Sequence, residues 1–122
     1  MSWLLAIVAG GLGALARYVA TGGVQRRLDS TLPWGTAIVN LTGAAVLGFL
    51  VGLGALSEPT MRIIALGFLG GYTTFSTWMV ESILLAEEGG TTGYRAGAIN
   101  TIGLFVAGIT AATIGFALGQ WV

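Results

Sequence analysis

Four stretches of this chain, residues 3–20, 34–56, 63–86 and 96–120, run close to the length of a membrane crossing with almost no charge. Arg17 interrupts the first and Glu81 the third, while the second and fourth carry none. A helix rises about 1.5 Å per residue, so about 20 residues cross a hydrocarbon core about 30 Å thick. Four such runs in 122 residues predict a single all-α transmembrane domain. The connections are short and hold most of the charge: 21–33 with Arg26, Arg27 and Asp29; 57–62 with Glu58 and Arg62; 87–95 with Glu87, Glu88 and Arg95. The first run is expected to be a mature helix rather than a secretory signal, because no basic stretch precedes Trp3 and three further spans follow.

Composition supports lipid as the solvent for most of the surface. Charged residues make up 8% of the chain, against about 25% in an ordinary soluble domain. The absence of Cys and His excludes a disulfide framework, thiolate or imidazole metal sites and the usual nucleophile pairs, so an enzyme is not expected. A net charge of zero, with no basic cluster beyond Arg26-Arg27, leaves nucleic acid without an electrostatic footprint. Setting Arg17 aside, one end of the bundle holds Arg26, Arg27 and Arg95 and the other Arg62, a weak bias that favours both termini outside and leaves insertion in either orientation open.

Glycine is abundant, 21 residues, and much of it falls inside the spans. Gly48/Gly52, Gly67/Gly71 and Gly115/Gly119 repeat at four-residue spacing, which puts small residues on one helix face and lets backbones approach closely. These stripes predict tight helix packing and an oligomer. Two other matches are rejected on context. Residues 11–16 (GLGALA) fit a dinucleotide-binding fingerprint, and Asn40-Leu41-Thr42 fits a glycosylation sequon. Both lie within apolar runs where neither chemistry has its structural setting.

Polar groups at membrane depth must find partners or line a wet path. Arg17 near the end of the first run reads as a snorkelling or pore-facing cation, Asn40 as an interhelical amide or an ion contact, and Glu81 as an acid toward a vestibule. The densest signal is residues 67–78 (GFLGGYTTFSTW). A Gly pair followed by Tyr-Thr-Thr is a poor helix former, so a break in mid-membrane is predicted there. Freed carbonyls and half-helix ends at such breaks bind ions in transporters. Phe75, Ser76, Thr77 and Trp78 follow with hydroxyl donors and with ring edges, the positive part of an aromatic quadrupole.

Taken in order, residues 10–18 (GGLGALARY), 33–43 (PWGTAIVNLTG) and 67–78 resemble the small fluoride channels called Fluc or CrcB, and the likeness covers nearly the whole chain. The resemblance implies four transmembrane helices, the third broken mid-membrane, in an antiparallel dual-topology dimer with two pores and a central structural Na+. It further implies that the Gly70 and Thr73 carbonyls hold that Na+, two from each subunit. Asn40 would donate to fluoride, Phe75 would present its ring edge, Ser76 and Thr77 would line the same stretch, Arg17 would supply positive potential near an entrance, and Glu81 would lie toward a vestibule.

Two departures from the family pattern stand out. Trp78 occupies the position of a usual second Phe, and Asn100 and Leu104 match positions of a usual aromatic and serine track in the fourth span. The implied function is passive export of cytoplasmic fluoride across the cell membrane, by a homodimer or by a heterodimer with a second family member. A small proton-coupled drug exporter is the remote alternative, with Glu81 as its only membrane-buried acid.

Overall fold

The computed structural model describes all 122 residues and contains helices and connecting turns, with no strand. We number five helices: α1 Ser2–Leu28, α2 Trp34–Leu53, α3 58–72, α4 Phe75–Glu87 and α5 Gly90–Gln120. The third span is α3 and α4 in tandem, so the chain crosses four times as an up-and-down bundle. Two stretches widen to π-helical geometry, Arg62–Leu69 inside α3 and Ile99–Gly103 inside α5.

Helix ends follow local chemistry more than they follow hydropathy. Helix α1 continues eight residues past the apolar run that ends at Ala20, since no proline intervenes before Pro33. It ends on Asp29, whose φ of 41° closes a left-handed cap. Gln25 then clasps the turn: its Nε2 donates to the Leu32 carbonyl at 3.0 Å, and its Oε1 accepts from the Gly35 N–H at 3.4 Å. Arg26 and Arg27 therefore occupy the last turn of α1 rather than a loop, where cations complement the helix dipole. At the other connection, Gly89 and Gly90 take positive φ (87° and 65°), and α5 starts at once, ahead of its apolar run.

The glycine stripes close the bundle by backbone contact. A Cβ added at Gly48 or Gly52 would fall on the carbonyls of Ala112 and Phe116 of α5, and one added at Gly115 or Gly119 would fall on Ala45 and Phe49 of α2. The two stripes thus form one reciprocal seam. A second seam joins α1 to α3, where Gly71 meets the Gly10 carbonyl and Gly13 meets the Phe68 carbonyl. A third joins α4 to α5, where Gly93 and Gly97 face the carbonyls of Leu85 and Ser82. All three four-residue pairs seen in the sequence are taken up inside one chain, so they say nothing of an oligomer. Gly13, a member of the dinucleotide-like motif, serves helix packing.

Few side chains are buried, chiefly Ala6, Ala37, Val39, Leu69 and Leu85. The outward surface is Leu, Ile, Val and Phe, as a protein solvated by hydrocarbon requires. The chain is a multi-pass membrane protein.

Candidate functional site

The break predicted in residues 67–78 falls at Thr73 and Thr74, both in extended conformation (φ −81°, ψ 159°; φ −148°, ψ 121°). Two extended residues in mid-span leave backbone groups that lipid cannot satisfy. Neighbouring side chains take up that role. Asn40 of α2 grips Thr74 from both sides, its Nδ2 donating to the Thr74 carbonyl at 2.9 Å and its Oδ1 accepting the Thr74 N–H at 2.8 Å. Arg17 of α1 donates from Nη1 to the Thr73 carbonyl at 3.0 Å. Gly43, one turn beyond Asn40, leaves the space that the Thr73 methyl fills.

Helix α4 restarts on its own cap. The Thr74 hydroxyl oxygen accepts from the Thr77 N–H at 3.3 Å, and the same hydroxyl donates to Thr77 Oγ1 at 3.0 Å. The first N–H groups of a helix have no intrahelical partner, and those of Phe75 and Ser76 join none of the bonds made outside the helices. A thirteen-residue helix therefore opens its positive end in the middle of the span. Phe75 beside it is 69% exposed and packs edge-on against Trp78, with centroids 5.8 Å apart and planes at 87°. Ser76 and Thr77 are exposed on the same turn.

Asn40, Gly70, Thr73, Thr74, Phe75 and Trp78 line one groove of about 450 Å³, walled on its far side by α5 at Leu104 and Phe105. Five of the residues singled out in the sequence thus share a surface. Arg17 sits behind it against Thr73. Glu81 lies further along α4, where its Oε1 accepts from the Thr36 hydroxyl at 2.7 Å and its Oε2 is buried without a partner. Asn40 serves as an interhelical amide in this chain and retains its second Nδ2 hydrogen for another acceptor.

The Trp78 N–H is not free. It donates to the Asn100 carbonyl at 2.7 Å, in the π-helical turn of α5. The Asn100 amide in turn donates to Ser82 Oγ at 2.9 Å, and the Ser82 hydroxyl donates to the Trp78 carbonyl at 2.9 Å. Ser82, Thr36 and Thr74 join the site only in the folded chain. Thr36 lies one helical turn before Asn40 on the same face of α2, and Thr74 lies three residues before Thr77 in a capping arrangement, so spacing offered a signal for both.

The carbonyls implied as Na+ ligands, Gly70 and Thr73, are both at the break. The Thr74 N–H that would close a helical bond onto Gly70 goes to Asn40 instead, leaving the exposed Gly70 carbonyl without its helical donor. The Thr73 carbonyl holds Arg17 on one lone pair and keeps a second. Backbone oxygens freed by a helix break suit a hard monovalent cation in kind. One chain offers two of them.

Four apolar helices, with one broken around an amide, a guanidinium and an open helix N-terminus, define a small multi-pass membrane protein with a polar site at mid-span. Residues 4–116 match the family described as CrcB-like protein, Camphor Resistance (CrcB), and the chain belongs to that family. It is similar to a protein of Mycolicibacterium paratuberculosis named Fluoride-specific ion channel FluC 2, 45% identical over 98% of this chain and 95% of that protein. The like-named protein of Mycobacterium bovis is 42% identical over 98% of this chain and 89% of its own length. Fluoride-specific ion channel FluC 1 of Streptomyces avermitilis is 40% identical over 99% of each chain.

Proposed function

We propose that this chain forms a fluoride channel that lets cytoplasmic fluoride leave the cell passively. Relatives alike over nearly their full length carry the name of fluoride-specific ion channels, and the site has the chemistry that a small, tightly hydrated anion requires. The observation that carries the reading is the restart of α4 in mid-span, its N–H end open beside the exposed ring of Phe75. Fluoride entering such a site must exchange its water for donors at modest strength. The remaining amide hydrogen of Asn40, the hydroxyls of Ser76 and Thr77, and the ring edges of Phe75 and Trp78 supply them. Arg17 adds positive potential from behind the break, and Glu81, paired with Thr36, lies toward a vestibule.

The groove along the break is open on one side, and we read a second subunit, antiparallel to the first, as its other wall. Two such breaks crossing would bring the Gly70 and Thr73 carbonyls of both subunits together as ligands for a structural Na+. The freed Gly70 carbonyl supports this reading. Bound there, sodium would neutralise the facing carbonyl dipoles and hold the two breaks in register.

The partner is a second copy or a related chain of opposite orientation. Arginine placement is what keeps the second reading beside the first: Arg26, Arg27 and Arg95 lie at one end and Arg62 at the other, a weak bias toward one orientation. Fluoride efflux from liposomes containing only this purified chain, with chloride release as control, separates the two. Fluoride without chloride establishes a self-sufficient homodimer. No release from a folded chain, restored by adding a second family member, establishes the heterodimer, and no release in either case contradicts the channel reading.

A further inference from the structure

Trp78 sets an indole edge-on against Phe75 at the restart of α4. An indole differs from a phenyl in one chemical respect that matters to an anion: it carries a strong N–H donor. A free N–H beside the fluoride path would hold the ion far more firmly than a ring edge does, and conduction requires binding weak enough to release. In this chain the donor is engaged elsewhere. Trp78 Nε1 donates to the Asn100 carbonyl at 2.7 Å, Asn100 Nδ2 to Ser82 Oγ at 2.9 Å, and the Ser82 hydroxyl to the Trp78 carbonyl at 2.9 Å. The three bonds close a ring between α4 and α5.

The ring sits beside a close approach of these helices. A Cβ at Gly97 would stand 2.6 Å from the Ser82 carbonyl, and Asn100 follows Gly97 by one turn, in the π-helical stretch. Ser82 is 5% exposed, and its hydroxyl both gives and receives a hydrogen bond. At its other end the clamped indole meets Phe75 edge-on at 5.8 Å. The clamp therefore fixes the aromatic neighbour of Phe75 while keeping the indole N–H turned toward α5.

We propose that Ser82 and Asn100 are positioning residues that tie up the Trp78 N–H, so that Trp78 meets the permeating anion with its ring edge alone, as a phenylalanine would. The proposal rests on the fluoride-channel reading above. It requires no contact between Ser82 and the ion: Ser82 orients the Asn100 amide, and the turn carrying Asn100 holds the indole.

The test uses the assembled protein in nanodiscs with ¹⁵N-labelled tryptophan. Four indole N–H resonances are expected from Trp3, Trp34, Trp78 and Trp121, and the Trp78→Phe variant identifies which belongs to Trp78. The wild-type Trp78 N–H should be protected from deuterium exchange equally in sodium fluoride and in sodium chloride. In Ser82→Ala its exchange should quicken by about fivefold in sodium chloride, as loss of a neutral hydrogen bond allows, and sodium fluoride should slow it again. The other three indoles should stay as they were. Wild-type Trp78 exchange that slows in sodium fluoride would overturn the proposal, as would unchanged exchange in Ser82→Ala.

In liposomes Ser82→Ala should release fluoride more slowly than wild type, because the freed indole N–H holds the ion. A folded Ser82→Ala protein that conducts as fast as wild type would overturn the proposal. Wild-type liposomes that release no fluoride, with or without a second family member, while the resonance behaves as expected, would leave the clamp standing and sink the fluoride reading instead.

Discussion

The seam between α2 and α5 and the break between α3 and α4 solve the same problem in opposite ways. In the seam, glycines bring two continuous helices into backbone contact, and Gly48, Gly52, Gly115 and Gly119 leave no room for a side chain. At the break the helical bonds are given up, and side chains from two other helices, Arg17 and Asn40, replace them. The seam is held by shape and the break by polarity. Rigidity in the first confines the second, because Asn40 lies on the same helix as the seam glycines and can meet Thr74 only if α2 is seated.

Substitution in the seam should have the largest effect. Gly115→Val would drive two methyls into the Ala45 carbonyl, a backbone atom that cannot step aside. Overpacking costs about 1–3 kcal/mol where neighbours can shift and more where they cannot. The expected outcome is loss of a monodisperse peak on gel filtration in detergent, with little folded protein recovered. A stable protein from Gly115→Val would mean that the seam is looser than described.

Substitution at the break should damage function before it damages folding. Asn40→Ala strips the partner from both the N–H and the carbonyl of Thr74, at about 1–3 kcal/mol for each group left unpaired. Fluoride efflux should fall by at least about tenfold while a folded protein is still recovered. Smaller again is Thr74→Ala, which removes the cap of α4 at a cost of about 1 kcal/mol and should lower the melting temperature by a few degrees. Thr74→Ser keeps the hydroxyl and should restore it.

The smallest change sharpens the contrast from the other side. At Gly11 an added Cβ meets nothing within 4 Å, although Gly11 lies on the same helix as Gly10 and Gly13. Gly11→Ala should stabilise α1 slightly, by up to about 1 kcal/mol from helix propensity, and leave efflux untouched. A melting curve of Gly11→Ala beside Gly13→Ala would show opposite signs.

Much of this contrast could be read in the sequence, and the unread part has a common cause. Hydropathy marked the four spans, the Gly-Gly-Tyr-Thr-Thr run marked the break, and the four-residue glycine spacing marked helix faces that pack. Those are local properties. Which faces meet is not local: Gly48 and Gly52 meet Ala112 and Phe116 far along the chain, and the pairing lies inside one molecule, where spacing suggested an oligomer. Arg17 and its acceptor on Thr73 are 56 residues apart, and Asn40 and Thr74 are 34 apart. The Trp78 clamp needs a carbonyl of Asn100, a group every residue carries and no side-chain pattern can flag.

The ends of α1 and α5 also run past their apolar segments. A polar residue such as Gln25 can extend a helix by clasping the next turn as readily as it can sit in a loop.

The central claim is that the restart of α4 beside Phe75 forms the fluoride path. Phe75→Ile tests it most directly, because the ring is exposed and its replacement leaves the seams, Asn40 and the α4 cap unchanged. Liposomes loaded with fluoride would be followed by electrode with wild type and with Phe75→Ile in parallel, at matched amounts of folded protein and with the second family member present if conduction requires it. The account predicts release from wild type and little from Phe75→Ile. Equal release from both would contradict it.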